Sequence, residues 1–146
     1  MLDRILVPLD QSRLGEAVLP VVADLARGGK AAVRLLHVAP QPGYLTSPEG
    51  RVVAYADQEM ARLEAEGLDY LQTVQLEGIP AECVVRFGDP VEEILAEAES
   101  WGADLLVVTT AGRSGVGRAM LGSVAEHVFR RTAAPVMLFR AGRARP

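Results

Sequence analysis

Cysteine is nearly absent from this chain: Cys83 stands alone among 146 residues. One thiol excludes an internal disulfide and any metal site built from several cysteines. It lies in an apolar run, where a thiol behaves as a small hydrophobe. Also missing is an apolar stretch near the roughly 20 residues that a membrane helix needs. No early apolar run follows a basic region, as a signal peptide would require. The expectation is a cytoplasmic protein without a membrane role. His37 has no evident carboxylate or serine partner, which makes it a poor catalytic candidate; it reads as a strand-end residue.

What is present is ordinary for a soluble globular protein: 49% hydrophobic and 23% charged residues. A chain of this length buries about 68–70% of its unfolded surface, so one core needs no staples. Residues 1–146 therefore read as one domain, with 141–146 as a loose Arg/Gly tail. Net charge is −4, unevenly spread: residues 112–146 carry seven arginines and one acid, while the rest of the chain is strongly acidic. A basic segment starting at a glycine-rich stretch favours an anion there. Global acidity argues against a general nucleic-acid partner.

Strand and helix signals alternate five times along the chain. Apolar runs at Arg4–Leu9, Ala32–Val38, Glu82–Phe87, Asp104–Thr109 and Pro135–Phe139 read as strands. Pro8 is tolerable at a strand's end. Helical spacing covers Ser12–Arg27, with Ser12 as N-cap and Gly28-Gly29 as the stop. A second helix spans about Val53–Leu76. Asp89 and Pro90 open a third, which reaches Trp101, and a fourth spans about Gly122–Arg131. Residues 40–54, rich in Pro and Gly, form the longest irregular segment. Near-continuous apolar strands between helices indicate a doubly wound parallel α/β sheet with right-handed crossovers.

Such sheets bind ligands beyond the carboxyl ends of their strands, where the strand order reverses. Pro8–Ser12, Val38–Pro42 and Thr109–Ser123 would converge there. The stretch from Gly112 to Ser123 is neither a P-loop, since no lysine precedes Ser123, nor a Gly-x-Gly-x-x-Gly fingerprint. Two readings of Gly122-Ser123 stand side by side. It is a phosphate site at a helix N-terminus, or a plain turn and N-cap. Asp10 by physics alone would cap the first helix.

In order along the chain come Ile5-Leu-Val-Pro-Leu-Asp10, Leu36-His-Val38, Gly88-Asp-Pro-Val-Glu-Glu-Ile94, Ala103-Asp-Leu-Leu-Val-Val108, Gly112-Arg-Ser-Gly, Leu121-Gly-Ser-Val-Ala-Glu-His-Val128 and Ala134-Pro-Val136. In this combination the chain resembles the universal stress protein family over nearly its whole length. The resemblance implies a Rossmann-like domain of the adenine nucleotide alpha hydrolase type, with five parallel strands in the order 3-2-1-4-5. It implies binding of ATP, with Mg2+ bridging phosphates. Asp10 would lie by the adenine and ribose, and Val38 would meet the adenine. Gly112, Gly122, Ser123 and Val124 would hold the ribose and phosphates, with Pro8 and Thr109 completing the candidate site. Arg113 is placed to meet the terminal phosphate or to stand solvated. The family pattern Gly-x2-Gly-x9-Gly-Ser/Thr is intact from Gly112 to Ser123, but Thr109 replaces its first glycine. Ala111 stands where histidine is common. The implied function is an adenine-nucleotide-binding regulatory protein of the stress type. A nucleotide-free dimeric scaffold and a weak ATPase are the alternatives. With this order strand 5 is an edge, so a homodimer through Val136, Met137, Leu138 and Phe139 is expected.

Overall fold

The computed structural model describes residues 2–42, 52–74, 76–111 and 116–141. Five strands, β1 (Arg4–Pro8), β2 (Ala32–Ala39), β3 (Ala81–Phe87), β4 (Leu105–Ala111) and β5 (Val136–Ala141), form one sheet. All pairings are parallel and the order is β3-β2-β1-β4-β5. Between them run α1 (Arg13–Glu16), α2 (Leu19–Gly29), α3 (Val52–Thr73), α4 (Pro90–Trp101) and α5 (Val116–Arg131).

Alternation along the strands divides the core in two. Ile5, Val7, Val33, Leu35 and Val107 face one way, packed with Val18, Val22 and Leu71 from the α2 and α3 side. Leu6, Leu36, Leu106 and Val108 face the other way, packed with Ile94, Ala98, Ala125 and Val128 of α4 and α5. Helices on both faces explain why these strands are apolar throughout.

The first helical stretch breaks where the spacing predicted continuity. Pro20 stands in the first turn of α2 and has no N–H to give. Its ring would clash with the Glu16 carbonyl of a continuous helix, so α1 ends at Glu16. Nor does Gly28-Gly29 stop α2: both glycines are helical, and Lys30 takes the left-handed cap at φ 55°. There Lys30 and Ala31 both donate to the Ala26 carbonyl, and Ala31 turns into the core. α4 follows its reading: Asp89 accepts from the Glu92 N–H, Pro90 opens the helix, and Gly102 closes it at φ 74°.

Gly67 on α3 has a packing role that the spacing did not reveal. A Cβ there would stand 2.8 Å from Val85 Cγ2 and 3.2 Å from His37 Cδ2. Its absence lets α3 lie close against β2 and β3.

A charged cluster lies beneath α4. Glu97 is 4% exposed. Its carboxylate accepts from Arg34 of β2 at 2.6 Å and from Arg86 of β3 at 2.8 Å. Arg86 also meets Glu93 at 2.9 Å, and Arg34 meets Glu82 at 3.1 Å. The Arg34 guanidinium stacks 4.4 Å from the centre of the Trp101 ring. Burial pushes the Glu97 carboxyl up, but the hydrogen bonds from Arg86 and Arg34 outweigh it and hold the group below its ordinary 4.5. A carboxyl whose folded pKa is depressed stabilises the fold above its unfolded value, and the contribution fades as pH falls through the folded one.

Two predictions follow from these contacts. Glu97→Gln leaves two arginines without their shared partner and lowers stability at pH 7 by about 3 kcal/mol in urea unfolding. The gap between wild type and variant narrows below pH 4.5. Gly67→Ala, which in an open helix would stabilise by about 1 kcal/mol, here destabilises by about 1–2 kcal/mol because Val85 must shift. The sign of the change in Tm decides it.

Candidate functional site

β1 and β4 are registered side by side only at Ile5–Leu105 and Leu6–Leu106. β1 stays paired with β2 as far as Pro8–Leu36, while β4 stays paired with β5 to its end. The two central strands therefore part above Leu6. The helices leave β1 and β4 on opposite faces of the sheet, so this is the switch point of the topology.

A cavity of about 280 Å³ opens there, lined by Pro8, Leu36, Val38, Ile94, Val108, Val124 and Ala125 among its apolar residues. Leu9, Asp10, Gly15, His37, Pro90 and Thr109 line it as well. Among the described residues, Asp10 is the only carboxylate in the lining, and no lysine or arginine is part of it. The wall suits a flat apolar ring, and Asp10 supplies an acceptor at the mouth.

The β1–α1 turn is built around that carboxylate. Asp10 Oδ1 accepts from the Ser12 N–H at 3.0 Å and from the Ser12 hydroxyl at 2.5 Å. This is an Asx turn, and it carries Gln11 in the left-handed region at φ 67°. Ser12 is the N-cap, as its sequence position suggested, and accepts from the Gly15 N–H at 3.0 Å. Asp10 thus supports the cap rather than forming it.

His37 braces the same turn. Its Nδ1 lies 3.0 Å from the Leu9 carbonyl, which can only accept, so Nδ1 carries the proton. Nε2 then accepts from the Gln11 amide at 3.3 Å. Both ring nitrogens are committed, and the ring meets Tyr70 edge-on at 6.4 Å. Tyr70 in turn donates to Glu16 at 2.7 Å, tying α3 to α1. Burial, then this bond to Glu16, pushes the Tyr70 phenol well above its usual value. The strand-end position of His37 was legible; its partners Leu9 and Gln11, both in the turn between β1 and α1, were not.

The structure brings Pro8, Asp10, Val38, Thr109 and Val124 around one cavity. Ser123 is exposed and adjoins Val124. Gly112 and Arg113 lie outside the described residues, as does most of the 40–54 segment. The helix expected to begin near Gly122 instead begins at Val116. Gly122 and Ser123 therefore sit inside α5, where N–H groups point to carbonyls four residues back. Ser123 is not an N-cap; its carbonyl accepts from His127 Nδ1 at 2.8 Å. Favourable residues after Gly117, such as Ala119, Met120 and Leu121, let the helix extend backward over the spacer.

The universal stress protein family model matches residues 1–140. The universal stress protein YxiE of Bacillus subtilis is 30% identical over 148 residues, covering 96% of this chain and all of that one. The solved structure of MJ0577, a universal stress protein of Methanocaldococcus jannaschii, superimposes with a TM-score of 0.80 at 26% identity, covering 99% of both chains. A universal stress protein from Archaeoglobus fulgidus, solved in complex with dAMP, shares the fold at a TM-score of 0.60 and 20% identity, covering 94% of this chain and 97% of that one. With the β3-β2-β1-β4-β5 sheet and the matched residues 1–140, the chain belongs to the universal stress protein family.

Proposed function

We propose that the crevice between β1 and β4 binds an adenine nucleotide, ATP with Mg2+ in the fullest form, and that the protein is a regulatory binding module rather than a turnover enzyme. The observation that carries this is the pocket itself: a largely apolar cavity at the switch point with a single carboxylate, Asp10, among its described lining residues. The adenine would pack between Val38, Ile94 and Val124, and the ribose hydroxyls would meet Asp10. Phosphates would extend toward Gly112, Arg113, Gly122 and Ser123, in the basic part of the sequence. The dAMP complex of the Archaeoglobus relative supports an adenine nucleotide as the ligand class. Among the described residues no group of three metal-ligating side chains exists, so Mg2+ would be held chiefly by phosphate oxygens.

Regulation rather than catalysis is supported by the state of His37 at the pocket. Both of its ring nitrogens are engaged, so it is not poised as a general base. Membership of the family supports a role for such a module in stress responses, in the cytoplasm.

The proposed assembly is a homodimer along β5. That strand is an edge of the sheet. Leu138 is 45% exposed there, and Phe129 of α5 is 54% exposed. Val136, Met137 and Phe139 are partly buried against the protein's own core, which leaves Leu138 as the exposed large apolar side chain among the described residues of this strand.

Two measurements test these readings. Denaturation of purified protein releases adenine nucleotide, and titration calorimetry detects ATP binding at one site per chain. Asp10→Ala weakens it by about tenfold or more, the worth of a hydrogen bond to a charged group. No released nucleotide and no heat at millimolar ATP would leave the scaffold reading. Turnover that Gly112→Val abolishes would make the protein an ATPase. In light scattering at micromolar concentration the wild type has twice the chain mass, and Leu138→Glu shifts it toward one chain; a monomeric wild type contradicts the dimer.

A further inference from the structure

We infer that Thr109 is a positioning residue for the Asp10 carboxylate, and that through it the site selects ligands with free ribose hydroxyls. This rests on the adenine-nucleotide reading above.

Thr109 lies on β4 above the level at which β1 and β4 part. Its hydroxyl donates to the Gly15 carbonyl of α1 across 3.4 Å. The Gly15 N–H donates to Ser12 Oγ at 3.0 Å, and that hydroxyl donates to Asp10 Oδ1 at 2.5 Å. A chain of polar contacts thus joins β4 to the Asp10 carboxylate, across the gap where β1 and β4 share no registered pair. Gly15 is also the wall behind that carboxylate: a Cβ on it would stand 3.0 Å from Asp10 Oδ1. A shift of the Gly15 backbone is therefore passed to Asp10 through the Ser12 hydroxyl.

The consequence is orientation. Oδ1 is held by two donors from Ser12, and among the described residues Oδ2 has no hydrogen-bond partner. A carboxylate fixed in this way, on a residue that lines the cavity, keeps Oδ2 as an acceptor for hydroxyls and has nothing to donate. A ligand with ribose hydroxyls satisfies it, and one without them leaves it unpaired. The 3.4 Å contact is long and has little share in overall stability. The glycine of the family pattern has no side chain with which to make this tie. Thr109 is accordingly a functional replacement here and not simply an obstruction.

The test compares AMP with 2′,3′-dideoxy-AMP by calorimetry on the full chain. Wild type and Thr109→Ser, which keeps the hydroxyl, prefer AMP by about tenfold. Thr109→Val, nearly isosteric without the hydroxyl, binds the dideoxy compound as wild type does, but its preference for AMP falls to within about twofold. Asp10→Asn gives the same collapse. A merely structural role would weaken both ligands together and leave the ratio intact. Thermal melts confirm that each variant is folded, and Thr109→Ala repeats the comparison if Thr109→Val is not. A tenfold preference retained in Thr109→Val overturns the inference, as does a wild type that binds both ligands equally. A wild type that binds neither ligand, nor ATP, overturns the adenine-nucleotide reading itself and this inference with it.

Discussion

The short pairing of β1 with β4 is the constraint on which the site depends. Two central strands of a covered sheet would ordinarily stay together along their length, since separation leaves backbone groups unpaired. Here they part after Leu6 and Leu106. Pro8 brings no N–H to the ladder, and the Leu9 N–H goes to the Leu36 carbonyl of β2 instead. The chain then turns at Asp10 and Gln11 into α1, while β4 continues beside β5. Because α1, α2 and α3 cover one face and α4 and α5 the other, neither layer closes the gap. The cavity is what remains.

Its chemistry is divided in the same way. The base of the slot is apolar, from Leu36, Val38, Ile94, Val108 and Ala125. The polar groups gather on the α1 side, where Asp10, Ser12, Gly15, His37 and Thr109 hold one another. Much of this apparatus supports a strained turn. Gln11 takes a left-handed conformation that costs a non-glycine residue on the order of 1 kcal/mol or more, and the Asx turn and the His37 ring offset it. The turn is thereby fixed before any ligand arrives, which lowers the ordering cost of binding.

The alternation of strands and helices was legible because helices on both faces force apolar strands, and Asp89-Pro90 and Gly102 mark helix ends by local chemistry alone. Departures arose where local signals competed. Pro20 broke a periodic run, and Lys30 took a left-handed cap with two helical glycines just before it. α5 extended back to Val116 over a spacer that its glycines had suggested was loop. Of the site, Pro8, Asp10, Val38, Thr109 and Val124 were legible and meet around one cavity. Gly15 and the brace from His37 to Gln11 were not, because they join residues whose proximity only the folded sheet creates. Glu97 was hidden for the same reason: on α4 it reads as a surface acid, and its two arginines come from neighbouring strands.

Backbone amide shifts recorded while the protein is titrated with AMP test the central claim most directly. The account predicts shifts at Asp10–Gly15, Val38, Thr109 and Val124-Ala125, around the opening between β1 and β4. Shifts confined to the opposite end of the sheet, at the second cavity of Leu95, Ala98, Gly102 and Arg131–Ala134, would contradict it.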